Sequence, residues 1–210
     1  ISRTALGIAL FSFLVIFYGI TWGRCNYKIE RQQVCIKELP DNFNGYRIVQ
    51  LTDLHLGSYG EHYPGVKKLV EEVNALNPDL IVFTGDMVNS FASEMNPWID
   101  QLKELKAKYG VYSSTGNHDY GTYVRWATRE EQADNLKQFF KNMEAAGFHM
   151  LNNTNVPLVI GTDTIYLAGV ENCGRPPFPC FGNLPQALQG TEGHTVILLS
   201  HDPSHWRDEV

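Results

Sequence analysis

The longest apolar pattern lies at the start of the chain. Residues 5–22 carry no charged side chain, and about 18 apolar residues reach the lower end of what spans a bilayer as a helix. Arg3 precedes the run and Trp22, Arg24 and Lys28 follow it, an aromatic and basic flank suited to a membrane interface. A cleaved signal peptide is the competing reading. Its apolar region would be shorter and end in a small-x-small site, unlike Gly19-Ile20-Thr21-Trp22-Gly23. Residues 1–24 are therefore read as a retained transmembrane anchor. The basic residues after it outnumber Arg3, which leans towards a cytoplasmic domain.

Beyond the anchor the period changes. Ile29, Val34, Ile36 and Leu39, set among charges, predict an exposed or edge strand, and 40–45, with its Pro, Asn and Gly, reads as a turn. Residues 25–45 thus form a lead-in to a domain over 46–210. Apolar runs at 48–52, 80–84, 111–115 and 196–200 predict strands. Between them Val66, Leu69, Val70 and Val73 fall at helical spacing behind Pro64. Ile99, Leu102 and Leu105 mark a second helix, with Asn96 as cap and Pro97 as its first residue. Thr128-Arg129-Glu130-Glu131 matches a capping box for a third helix, with Leu136, Phe139, Phe140 and Met143 on its buried stripe and Gly147 closing it. Short strands near 157–160 and 165–170 and a short helix near 184–188 precede the last strand. Alternating strands and helices with right-handed crossovers give a parallel sheet whose strand C-termini share one edge, where ligands collect.

Composition narrows the options. The chain has 210 residues, 43% of them hydrophobic, enough for a normal core in one domain. Its formal net charge is −6, without a lysine or arginine block, so no nucleic-acid partner is indicated. Cys25, Cys35, Cys173 and Cys180 lack the spacing of a zinc site. Cys173 and Cys180 flank a proline-rich loop and could pair, though free thiols are the reading preferred here.

The strand ends carry the chemistry. Asp53-Leu54-His55 follows the first strand, Gly85-Asp86 the second, Gly116-Asn117-His118-Asp119 the third, and His201 the last. A lone Asp or His at a strand end is more often a turn residue; four such clusters on one sheet edge point to one shared site. Asp86 can lend one carboxylate oxygen to each of two cations, with Asp53, His55, Asn117 and His201 as further ligands. A water between the cations loses its proton near neutral pH and can attack phosphorus in line. His118 is placed to protonate the leaving group or stabilise phosphoryl oxygens, outside the coordination sphere, and Asp119 to orient its imidazole. His62, His149, His194 and His205 read as surface or packing residues.

Asp-x-His, Gly-Asp, Gly-Asn-His-Asp and Ser-His, in this order, resemble the calcineurin-like metallophosphoesterase superfamily. The wording of 46–57 behind a hydrophobic anchor is similar to its membrane-anchored bacterial phosphodiesterase branch. The resemblance implies an α/β fold: a metallophosphatase-type four-layer α-β-β-α sandwich of two mixed sheets, preceded by the N-terminal transmembrane helix. It implies a pair of divalent manganese, iron or zinc ions held by Asp53, His55, Asp86, Asn117 and His201, with His118 catalytic. The expected function is hydrolysis of a phosphodiester, phosphomonoester or pyrophosphate, lipid-linked or soluble, by a metal-bound hydroxide; a silent metal-binding membrane scaffold is the alternative. The loops 120–127 and 172–182 are candidate pocket walls, with Arg125 and Arg175 as phosphate or head-group contacts. Two departures stand out. Asn89 occupies a position where many members have an acid, and the chain ends at Val210 before any Gly-His-x-His, so it is expected to be truncated at its C-terminus.

Overall fold

The structure, a computed structural model, describes residues 2–176, 178–208 and 210. Helix α1 (Arg3–Thr21) has no buried residue; apolar on every side, it has no polar face for water and suits a lipid surrounding. Its 19 residues extend about 28 Å at about 1.5 Å per residue, against a hydrocarbon core of about 30 Å.

Four strands, β1 (Ile48–Leu51), β2 (Leu80–Phe83), β3 (Val111–Ser113) and β4 (His149–Met150), pair in parallel in the order β1-β2-β3-β4. Helices α2 (Gly65–Ala75), α3 (Ile99–Leu102) and α4 (Arg129–Ala145) link them. Successive right-handed crossovers advancing in one direction leave every helix on one face. That face is packed by Val66, Leu69, Val70 and Val73 of α2 and Phe139 and Met143 of α4 against Ile81 and Phe83. The alternate residues of β2, Leu80 and Val82, point the other way, onto a second sheet. This one is mixed: β5 (Thr154–Ile160) and β6 (Asp163–Gly169) form an antiparallel hairpin, and β7 (Val196–Leu199) runs parallel to β6. Leu158, Ile165, Leu167 and Leu199 meet Leu80 and Val82 between the sheets. Outside lies α5 (Leu184–Ala187), packed through Leu184 and Ala187 on Val170, and a short helix α6 (Pro203–Asp208) follows β7. The layers are thus helix, sheet, sheet, helix. The first sheet is wholly parallel among the described residues, rather than mixed, because each of its strands is reached by a crossover.

Several local expectations change. Residues 26–36 form no strand, and Ile29, Val34 and Ile36 stay exposed. An alternating pattern makes a strand only where a partner edge takes up its N–H and C=O groups, and none lies alongside. Asn96 caps no helix; it closes a 3-10 turn, Ala92–Met95, and Trp98 stands before α3, which has a single turn. Cys173 and Cys180 form a disulfide rather than free thiols, because the proline-rich loop doubles back and makes a bridge between them. The capping at α4 is as expected: Thr128 Oγ1 accepts the Glu131 N–H at 3.1 Å. Glu131 returns its carboxylate to the N–H of Ala127, one residue before the cap.

Candidate metal centre

The first two parallel strands deliver their polar clusters in the same backbone manner. Past β1 the chain holds Asp53 and His55 at φ 55° and 45°, and past β2 Asp86 at φ 61°. Non-glycine residues in the left-handed region cost about 1–3 kcal/mol each and concentrate at functional sites. The strain is held by long-range hydrogen bonds: Asp53 N–H donates to Gly85 O at 3.0 Å and His55 N–H to Asp86 O at 3.1 Å. Two glycines let the loops touch. A Cβ on Gly85 would lie 2.3 Å from Gly116 N, and one on Gly116 would lie 2.2 Å from Asp86 Oδ1.

Asp86 is the centre of the cluster, its side chain only 4% exposed. Its Oδ2 lies 3.5 Å from His55 Nε2 and 3.5 Å from His201 Nε2, and its Oδ1 accepts the His118 N–H at 2.9 Å. Asp53 Oδ1 is 3.7 Å from His55 Nε2, and Asn117 Oδ1 is 3.1 Å from His201 Nε2. Potential ligand atoms of Asp53, Asp86 and His201 lie within 4.8 Å of one another, as do those of His55, Asp86 and His118. All six residues named from the sequence therefore meet, though not on one sheet edge as expected: His201 follows β7 of the second sheet and the other five follow β1, β2 and β3 of the first. Asp86 belongs to both groups.

The donors suit a cation. His201 Nδ1 faces the Thr84 carbonyl at 2.8 Å, which leaves Nε2 for the site, the usual way a backbone acceptor fixes a ligand tautomer. Burial pushes the Asp86 carboxyl up, but the hydrogen bond and charge of His201 and the His118 N–H outweigh it and hold Asp86 below the usual carboxylate range. Burial lowers His201, and the hydrogen bond and charge of Asp86 override it, raising the imidazole to about 9. A carboxylate kept ionised with an imidazole drawn to positive charge beside it is an arrangement that a divalent ion satisfies by replacing the proton.

His118 is fixed from two sides. Its Nδ1 meets the Asn89 carbonyl at 2.7 Å, and its ring stacks on Tyr123 at 4.4 Å, whose hydroxyl accepts from Asn117 Nδ2 at 2.7 Å. Asp119 does not orient it, contrary to expectation. Fully buried, it accepts the N–H groups of Gly116 at 2.8 Å, Met87 at 2.9 Å and Asp86 at 3.0 Å, tying the second and third strand ends together. Burial pushes its carboxyl up to about 7 against the pull of those donors. Sequence reasoning missed the Asn89 and Thr84 carbonyls, which have no side-chain signature, and named only the loop that holds Tyr123. Arg125 is exposed. Arg175 pairs with Asp208 of α6, its Nε at 2.7 Å from Oδ2, and both side chains stay exposed. His205, expected at the surface or in packing, is buried with Nδ1 3.0 Å from Ser200 Oγ.

Two facing sheets with strand ends that bring carboxylate, amide and imidazole groups around one shared aspartate define the metal-site class of α/β proteins. Residues 46–210 match calcineurin-like phosphoesterase, and the chain belongs to that family. It is 31% identical over 210 residues to a transmembrane protein with metallophosphoesterase domain of Danio rerio, covering 96% of this chain and 45% of that protein. It is 40% identical over 208 residues to the UDP-2,3-diacylglucosamine pyrophosphatase LpxG of Chlamydia trachomatis serovar D, covering 79% of this chain and 60% of that one. The chain thus spans about half the length of these curated relatives. Helix α1 is long and apolar enough to cross a bilayer, and two of the relatives are named as transmembrane proteins.

Proposed function

We propose that the chain carries a metal-dependent phosphoester hydrolase site in which Asp53, His55, Asp86, Asn117 and His201 hold two divalent cations that share Asp86. The observation that carries this reading is the position of Asp86, whose Oδ2 lies 3.5 Å from both His55 Nε2 and His201 Nε2. Oxygen and imidazole donors suit manganese, iron or zinc. Such ions supply Lewis-acid stabilisation of phosphoryl charge and acidify coordinated water. The protein's own groups do the rest. Asp86 and Asp53 set the charge of the cavity, and Asn117 adds a neutral oxygen held in place by Tyr123. His118 keeps Nδ1–H on the Asn89 carbonyl and, when protonated, donates from Nε2 to the departing oxygen or to a phosphoryl oxygen. Tyr123 stacked on the ring restricts it to that direction. The pyrophosphatase name of the Chlamydia relative supports phosphorus chemistry at this site.

The test is hydrolysis of 4-nitrophenyl phosphate and bis(4-nitrophenyl) phosphate by the full chain in detergent with manganese, iron(II) or zinc. We expect turnover that Asp86→Asn reduces by at least about a hundredfold in kcat/KM, the scale on which disturbing a metal site acts. A rate no higher than that variant with every metal would overturn the reading. Two ions bound per chain without turnover would identify a metal-binding scaffold instead.

A further inference from the structure

The junction between the anchor and the domain is not a loose linker. Directly after α1, Arg24 lays its guanidinium 4.8 Å from the Tyr59 ring centre and 4.7 Å from that of Tyr63. The two rings are themselves stacked at 4.4 Å and 5°. Arg24 Nη2 donates to Ser58 O at 3.2 Å, and Tyr63 Oη donates to Arg24 O at 2.9 Å. Two cation–π contacts and two hydrogen bonds thus hold one residue at the membrane exit of the helix.

What that residue holds is the rim of the metal centre. Ser58 ends the 3-10 turn Leu56–Ser58 that begins immediately after His55. Asn89 Nδ2 donates to Ser58 Oγ at 3.1 Å, and the Asn89 carbonyl holds His118 Nδ1 at 2.7 Å. Three hydrogen-bonded steps therefore connect Arg24 to His118. On the same rim Phe91, two residues past Asn89, and Tyr123, stacked on His118, are 42% and 48% exposed. Trp22, at the last turn of α1, is 64% exposed. Exposed aromatic rings beside a polar hydrolytic site are poorly served by water, and they are the side chains that settle at a lipid–water boundary.

We propose that the Arg24–Tyr59–Tyr63 clamp locks the exit of α1 to the His55 loop, so that the metal centre opens at the bilayer surface and takes phosphoesters carried on membrane lipids. Arg24, Tyr59 and Tyr63 are positioning residues. The docking surface is the lipid headgroup layer, met by Phe91 and Tyr123, and α1 is what brings it there. The substrate half of this proposal rests on the phosphoesterase reading; the orientation half does not.

Two measurements separate them, both on the full chain in phosphatidylcholine vesicles. In the first, a photo-crosslinking phenylalanine analogue replaces Phe91 or, as control, Lys106, which is exposed ahead of β3 at the far edge of the sheet. Lipid adducts are expected at position 91 and not at 106, and Arg24→Ala should remove them. Equal labelling at the two positions, or labelling at 91 indifferent to Arg24→Ala, overturns the orientation. In the second, hexadecyl 4-nitrophenyl phosphate in the vesicles is compared with soluble methyl 4-nitrophenyl phosphate, which shares its reacting bond. Arg24→Ala should slow the hexadecyl ester about tenfold and leave the methyl ester within about twofold, because only the first depends on a high effective concentration at the surface. Tyr63→Phe, which keeps the ring and loses one hydrogen bond, should fall between. Rates on both esters falling together, or neither changing, overturn the proposal. If wild type hydrolyses neither ester while the crosslinks appear as expected, it is the phosphoesterase reading that has failed and the orientation that stands.

Discussion

His118 shows how much of a site is set by atoms that leave no mark in the sequence. Its identity was legible from Gly-Asn-His-Asp, but the carbonyl of Asn89 that fixes its ring is an atom every residue possesses. The same holds for Thr84 O behind His201. If His118 acts as a proton donor, His118→Asn should lower kcat by on the order of 10²–10⁴-fold while calorimetric metal binding stays within a factor of a few. The loss should grow as the leaving group becomes more basic, and an equal loss for every leaving group would exclude the role. Asp119 illustrates the opposite error, a side chain read as orienting the His118 imidazole that instead accepts backbone N–H groups. Removing it leaves backbone N–H groups of Gly116, Asp86 and Met87 buried without their acceptor. Asp119→Ala should therefore cost about 1–3 kcal/mol or more of stability, read from urea denaturation, whether or not metal is present.

Among the elements, periodic ones were read most faithfully. The stripe of α4 and its Thr128 cap follow from local rules, and Thr128→Ala should lower stability by about 0.5–2 kcal/mol, seen as a lower urea midpoint with unchanged slope. The strand expected in 27–39 failed because strand formation needs a partner, which no local pattern can promise. Where the loops meet, Gly116 was legible as a tight turn, but its neighbour was not. A methyl group there would lie 2.2 Å from Asp86 Oδ1 and 2.6 Å from Asp86 N. Gly116→Ala should thus destabilise by about 1–3 kcal/mol, the range of overpacked positions, and weaken metal binding as well by displacing the Asp86 carboxylate. A fully retained metal affinity, by titration, would show that the loop can yield without moving Asp86.

At the scale of the whole molecule, α1 is the element long and apolar enough to cross a bilayer. The chain should remain in the bilayer after an alkaline carbonate wash, since burying some 18 apolar residues in lipid outweighs loss of peripheral contacts; release into the supernatant would refute the span. Cys173 and Cys180 should resist alkylation until a reductant is added, as the bond between them requires, while Cys35, an exposed free thiol, reacts at once. By itself the sequence determined the long apolar helix, the alternation of strands and helices, and the placement of Asp53, His55, Asp86, Asn117, His118 and His201 at strand ends. All of these rest on residue type and short-range period, which the chain carries in its order. Only the tertiary structure decided that Asp86 belongs to both groups of potential ligands, that Asp119 braces backbone rather than imidazole, that Tyr123 and Asn89 hold His118, and that Arg24 grips two tyrosines beside the site. Those contacts join residues tens of positions apart, frequently through backbone atoms identical in every amino acid, so their pairing exists only once the sheets have packed.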